Sequence, residues 1–217
     1  MVESFVYEYK ETLTPAIISR AIDDYHQFQT CGFILLFQIG YFLFEYGSVR
    51  KKNGDTVLIK TLVIFVLSCA ATYTFGYAFA YGANYFIGTT YYFTSFSSSS
   101  NSSEANEIKW SLYMLTNSLT AQIACSGFVE RSKMLVPICF SIMLSLVIYP
   151  FVVGWTLGGG FMSQLGLVDF SGCASIHLVA GFVSLYCTLV LKPRLGRFEP
   201  LAIKKSVGNS ELYLSHI

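Results

Sequence analysis

The sequence predicts an all-α, polytopic membrane helix bundle with five transmembrane helices, and three observations predict it. Only 12% of the residues are Asp, Glu, Lys or Arg, 53% are hydrophobic and the mean hydropathy is +0.53, whereas a soluble domain carries roughly a quarter charged residues. Five stretches, 28–46, 56–81, 110–129, 135–153 and 172–191, are apolar over the length of about 20 residues that a helix needs to cross a bilayer. These runs also lack the polar face that a helix packed in a soluble protein turns to water.

Residues 1–25 hold Glu3, Glu8, Glu11, Asp23 and Asp24 and no apolar centre. They do not read as a cleaved signal peptide, which has a basic start and an apolar core, so the first helix serves as its own insertion signal. That helix, 28–46, runs into a short loop punctuated by Gly47 and by Asn53-Gly54. The second, 56–81, is 26 residues long, more than a perpendicular crossing requires, which predicts tilt. Its Gly76 and the alanines at 70, 71, 78 and 80 offer small surfaces for close packing. The segment 82–107 is aromatic and then serine-rich, as in a surface loop, and carries a glycosylation sequon at Asn101-Ser102-Ser103. In the fourth helix, Pro137 falls in the first turn, where its missing N–H does no harm, and Pro150 near the far end. Residues 154–171 read as a glycine-rich loop packed into the outer mouth, and the chain closes with a polar tail.

Basic residues give the topology. With the N-terminus outside, the inner loops hold Arg50, Lys51, Lys52, Arg131 and Lys133, followed by Lys192, Arg194, Arg197, Lys204 and Lys205. Only Lys10, Arg20 and Lys109 remain outside, and Lys60 snorkels at the inner end of the second helix. Ten against three is a clear positive-inside bias, so the N-terminus is out and the C-terminus in. The domain organisation expected is an outer tail over 1–25, a transmembrane domain over 26–198 and a cytoplasmic tail over 199–217.

The chemistry centres on His177. A polar group at membrane depth is expensive and faces a bundle interior or a pathway rather than lipid. Residues three, four and seven apart share a helix face, so Cys173, His177, Ala180, Gly181 and Ser184 form one narrow, weakly polar seam. It suits a path for a small molecule and a close helix–helix contact equally well. Cys173 and His177 as a two-ligand metal site is a weak third reading. Asp169 stands three residues before the fifth helix, as a cap for its free N–H groups or as a charge acting on an incoming cation. Glu45 and Glu130, at inner helix ends, read as interfacial ion pairs. The six cysteines, at 31, 69, 125, 139, 173 and 187, read as reduced packing residues. Nothing reads as a nucleophile–base pair, a phosphate loop or a metal cluster, so no enzyme activity, cofactor or metal is expected. A net charge of +1 implies no nucleic-acid partner.

The stretch Asp169-Phe170-Ser171-Gly172, leading into the helix that carries His177, resembles the signature of the Amt/Mep/Rh ammonium transporter family. So do Gln38-Ile39-Gly40 with Glu45-Tyr46-Gly47-Ser48-Val49-Arg50-Lys51-Lys52-Asn53, and Gly76-Tyr77-Ala78-Phe79-Ala80-Tyr81-Gly82. Ser126-Gly127-Phe128-Val129-Glu130-Arg131 and Lys192-Pro193-Arg194-Leu195-Gly196-Arg197-Phe198 complete a similarity that runs in order from about Cys31 to Phe198. The resemblance implies half of the ammonium transporter fold: the first five of eleven helices, in a subunit of two inverted halves that assembles as a trimer. It implies recruitment of ammonium at an outer aromatic vestibule, removal of a proton, and passage of ammonia along an apolar pore. A bare ammonium in a low-dielectric medium costs of order 20 kcal/mol by the idealised Born estimate; deprotonation avoids most of that, and a buried histidine can relay the proton. By resemblance, His177 is the first pore histidine and Asp169 the aspartate near the recruitment site.

Three features depart from the family pattern. Leu157 stands where a tryptophan usually precedes the glycines of the outer vestibule, and leucine offers no π face to a cation, which leaves Trp155, two residues earlier, as the substitute. The phenylalanine gate of the third helix falls near Thr116. The partner histidine belongs to a second half. The function expected is thus ammonium transport by a truncated or split member, at the plasma membrane, with ammonium or ammonia, membrane lipid, and either further copies or a chain supplying the second half as partners. The alternative is a non-transporting structural or regulatory membrane subunit derived from such a transporter.

Overall fold

The computed structural model describes residues 15–82, 88, 91–94 and 103–193, and all the regular secondary structure among them is helical. Five long helices follow in chain order. They are α1 (Pro15–Ser48), α2 (54–81), α3 (Ser103–Val129), α4 (135–156) and α5 (173–191). A 3₁₀ turn, Lys51–Asn53, joins α1 to α2 so tightly that a Cβ on Gly54 would come within 2.8 Å of the Tyr46 ring. A short helical turn, Phe161–Gln164, lies between α4 and α5.

The elements appear where the hydropathy places them, but their ends differ. α1 starts at Pro15 rather than at residue 28, so its first turns are cut from the polar segment expected to be an outer tail. Proline suits a helix start because its φ is preset and its absent N–H is not missed. At 1.5 Å per residue, α1 is roughly 50 Å long, well beyond a hydrocarbon core of about 30 Å. α4 continues to Thr156, and Phe161–Gln164 is also helical, so 154–171 is not one continuous loop. The glycines after α4 do pack closely: a Cβ on Gly158 would meet the Ala80 carbonyl at the end of α2. Asn101 lies outside the described residues.

Among the described residues, four segments are long and apolar enough to cross a membrane: Ile17–Ser48, Lys51–Tyr81, Leu135–Gln164 and Phe170–Leu191. The exception is α3, and its position explains why. It packs against α1, α2, α4 and α5, so its polar side chains meet protein. Asn117, Ser118, Thr120 and Gln122 are all within 1% of full burial. The core around it is built from small and aromatic side chains, among them Ala121, Ala124 and Phe128 of α3 with Tyr77 of α2, Tyr149 of α4 and Ala180 of α5.

Three helices contain a π turn: Thr72–Gly76 in α2, Leu144–Ile148 in α4 and Cys173–Leu178 at the start of α5. Those of α2 and α4 face one another, with the Gly76 Cβ position 3.1 Å from the Ser145 carbonyl oxygen. π turns are rare, occur mostly as single-turn insertions in α-helices, and are frequent at functional sites. Their presence here was not legible in the hydropathy pattern.

The C-terminal ends of α1, α3 and α5 and the start of α2 are tied by hydrogen bonds, and two sequence expectations are corrected there. Lys60 does not snorkel: it is 4% exposed, and its Nζ donates to the carbonyls of Val129 at 2.7 Å and Ser132 at 2.6 Å, closing the C-terminus of α3. Glu45 is buried beside Tyr41, with no ion pair among the described residues. Glu130 accepts from the Asn53 side chain at 3.0 Å and the Arg50 N–H at 3.3 Å. Arg131 reaches from Gly127 O at 2.9 Å to Lys192 O at 2.6 Å, bridging α3 and the end of α5.

Candidate functional site

The start of α5 is shaped by a sharp backbone turn. Ser171 and Gly172 both take left-handed conformations, φ 55° and 72°. This is easy for glycine and uncommon for serine. The turn folds the helix N-terminus back over Asp169, whose carboxylate accepts the N–H of Ala174 at 2.9 Å and of Ser175 at 3.0 Å. Burial opposes the charge on Asp169, but these hydrogen bonds together outweigh it and hold the carboxyl below its ordinary pKa. Asp169 therefore ties down the turn that presents His177.

His177 lies in the π turn and is exposed, as are Cys173, Leu178, Gly181 and Phe182 around it. Its ring has no hydrogen-bond partner among the described residues. The seam drawn from helical spacing thus divides. Ala180 is fully buried, and Ser184 turns toward α3, where Gly127 leaves room: a Cβ on Gly127 would collide with Ser184 Oγ and come 2.7 Å from Thr188 Oγ1. Thr188 donates to the Gly127 carbonyl at 3.2 Å. One edge of α5 is a close helix contact with α3, and the other edge, with Cys173, His177 and Gly181, is open. The π turn adds the rotation that separates the two.

Thr116 and Tyr149 meet between α3 and α4. The Tyr149 hydroxyl donates to Thr116 Oγ1 at 2.9 Å, and Thr116 donates to the Tyr113 carbonyl at 3.0 Å. Trp155 is half-buried, its ring 5.8 Å from that of Phe151 and 5.3 Å from that of Phe161. Leu157 is 45% exposed just beyond α4. The structure thus places Thr116 against Tyr149 and Trp155 between Phe151 and Phe161.

A tyrosine cluster escaped the sequence reading. Tyr77 and Tyr81 of α2, 5.1 Å apart, meet Tyr113 of α3 edge to face at 5.7 and 5.6 Å, and Tyr113 continues to Tyr149 at 5.4 Å. Lys109 Nζ sits 4.2 Å above the Tyr81 ring, a cation held on a π face. The spacing of Tyr77, Tyr81 and Tyr113 within their helices was visible, but only the packing of α2 on α3 joins them.

The profile of the Ammonium Transporter Family matches residues 28–215. The chain belongs to this family. Among its relatives are Ammonium transporter Amt2 of Archaeoglobus fulgidus, 32% identical over 183 residues, and Ammonium transporter 3 of Dictyostelium discoideum, 31% identical over 170 residues. The matches take in 78% and 76% of this chain but only 38% of each relative. The chain therefore spans well under half the length of these curated relatives. Among solved structures, a Sensor Amt Protein superposes with a TM-score of 0.78 at 22% identity, covering 85% of this chain and 48% of that one; this similarity shows a shared fold. Four long apolar helices and membership of this family make the chain an integral membrane protein.

Proposed function

We propose that this chain carries the first five spans of an ammonium transporter and supplies one wall of its path. α3 is the additional span, shielded from lipid by its neighbours. The positive-inside count supports an N-terminus outside and a C-terminus inside, with 1–25 as outer tail, 26–198 as transmembrane domain and 199–217 as cytoplasmic tail. The plasma membrane is the destination this reading assigns, with Asn101 as a glycosylation site on the outer side.

The observation that carries the reading is the open edge of α5. An imidazole at membrane depth stands on an uncovered face, and the helix start beneath it is clamped by Asp169. A second half, or another copy in a trimer, covering this edge would enclose His177, Cys173 and Gly181 as the wall of a narrow apolar path. There, ammonium gives up its proton before passing as ammonia, and the imidazole accepts or relays hydrogen bonds. Trp155 supplies the outer π face that Leu157 does not, with Thr116 flanking the route; Ser184 lies on the other edge of α5, against α3.

The test is growth of cells lacking ammonium uptake at limiting ammonium. The chain is expressed alone and together with the part of the Archaeoglobus relative that it does not match. Membrane insertion of every chain is verified. Rescue by either arrangement, lost in His177→Ala, supports the reading. Correctly inserted chains that fail to rescue in both arrangements, or rescue that survives His177→Ala, overturn it.

A further inference from the structure

The seam between α1 and α3 is polar along its inner half, and the proposed path does not use it. α1 contributes Gln38, Tyr41 and Glu45, which lie three, four and seven residues apart on one face. α3 contributes Ser118, Gln122 and Ser126, spaced four apart. The two helices run side by side in the same direction, as two cross-contacts show. Gln38 Nε2 donates to Leu115 O at 2.9 Å and to Ser118 Oγ at 2.6 Å. Further along, the Tyr41 hydroxyl faces Ser126 and Glu45. Gln122 stands between Ser118 and Ser126 on the same stripe, so its amide points into the seam between Gln38 and Tyr41.

That amide is 1% exposed, and neither its nitrogen nor its oxygen has a protein partner. The oxygen of Gln38, equally buried, has none either. Gln122 thus offers a free donor and a free acceptor side by side, with a further free acceptor nearby. Leaving such groups dry is costly. A metal cation would satisfy the oxygens but face the amide N–H; an anion would do the reverse. Water donates and accepts, and it is the guest that buried polar side chains of this kind hold.

We propose that the α1–α3 seam is a built water site. A short file of internal water joins the Gln38 and Gln122 amides to the Tyr41 hydroxyl and ends at the Glu45 carboxyl on the inner side. The file lies across α3 from Gly127 and α5, so it is separate from the face that carries His177 and does not depend on the transport reading. It makes Glu45 the inner terminus of a hydrogen-bonded row that reaches the depth of Gln38.

Two measurements on the full chain test this. In isotope-labelled protein in nanodiscs, water-selective cross-relaxation is read at the glutamine side-chain amide protons. Gln122 gives a water cross-peak, while Gln38, whose amide is held by Leu115 and Ser118, gives a much weaker one. Absence of the peak at Gln122 overturns the proposal whatever else is found. Thermal unfolding of Gln122→Met, which keeps the length and removes both polar atoms, supplies the second arm. A hydrated seam predicts a lower midpoint, because bridged water is lost. A raised midpoint means that the amide was buried dry, and it too overturns the proposal.

Discussion

The Tyr149 hydroxyl hydrogen-bonds Thr116 at 2.9 Å, across the junction of α4 and α3, with Tyr149 only 1% exposed. The threonine occupies the place where the family resemblance expects a phenylalanine gate. It acts as a relay: it accepts from Tyr149 and donates to the Tyr113 carbonyl. Thr116→Val keeps the shape and removes one partner of the tyrosine hydroxyl, leaving Thr120 beside it, which costs about 1 kcal/mol; Tyr149→Phe removes that hydroxyl and costs about 1 kcal/mol. The double variant is expected to lose less than the two singles added together, because each single substitution already breaks the shared hydrogen bond. Chemical unfolding of the four proteins in detergent measures the coupling, and strict additivity would show that the contact contributes nothing.

Gly127 is where α3 and α5 come closest. A methyl there meets Ser184 Oγ, Thr188 Oγ1 and, at 3.1 Å, the Ser184 carbonyl. The two hydroxyls can rotate away, but the carbonyl belongs to the helix. Gly127→Ala is therefore expected to cost about 1–3 kcal/mol, as overpacking does, and Gly127→Leu more. Thermal midpoints in the order glycine, alanine, leucine, highest first, are the expected result. A midpoint for Gly127→Ala equal to or above that of the parent would show that the helices are not in tight contact.

How much of this was legible in the sequence varies with the kind of information each feature needs. Apolar runs located the helices to within a few residues, except at the start of α1, where residues 15–27 are largely polar yet helical, and at the start of α3, which begins at Ser103 rather than at 110. Asp169 and His177 stood out because a lone acid and a lone imidazole are costly near lipid. The split of the α5 seam was not legible, because a π turn changes the rotation that ideal spacing assumes. The tyrosine cluster and the polar α1–α3 seam were hidden for another reason. Each joins residues far apart in the chain, Tyr81 with Tyr113 or Gln38 with Ser118, and only packing brings them together.

Lys60 shows how a charge is kept inside the bundle. Its ammonium closes two carbonyls at the end of α3, Val129 and Ser132. Such a group acts as a charged cap, favourable at the negative end of the helix dipole, and hydrogen bonds from a charged donor contribute about 1.5–3 kcal/mol. Lys60→Met is expected to lower stability by that order and to loosen the α3–α4 connection. Faster hydrogen exchange at residues 129–134 in the variant, with exchange at the start of α3 unchanged, is the expected pattern. Unaltered exchange at 129–134 would mean the lysine is dispensable there.

Asp169 gives the start of α5 a pH dependence with a defined sign. Burial opposes its charge, yet the N–H groups of Ala174 and Ser175 hold the carboxyl below its ordinary value in the folded chain. The unfolded chain binds this proton near pH 3.9. A depressed folded pKa means that the stabilisation is complete above that point and is lost as the pH falls through the lower folded value. Between pH 7 and 5 Asp169 therefore adds a constant amount, and below about pH 4 its contribution shrinks. Asp169→Asn lacks the ionisation and gives the reference. The difference in thermal midpoint between parent and variant is expected to be flat from pH 7 to 5 and to narrow toward pH 3, while a difference that stays constant over the whole range would show that the carboxylate charge does not hold the turn.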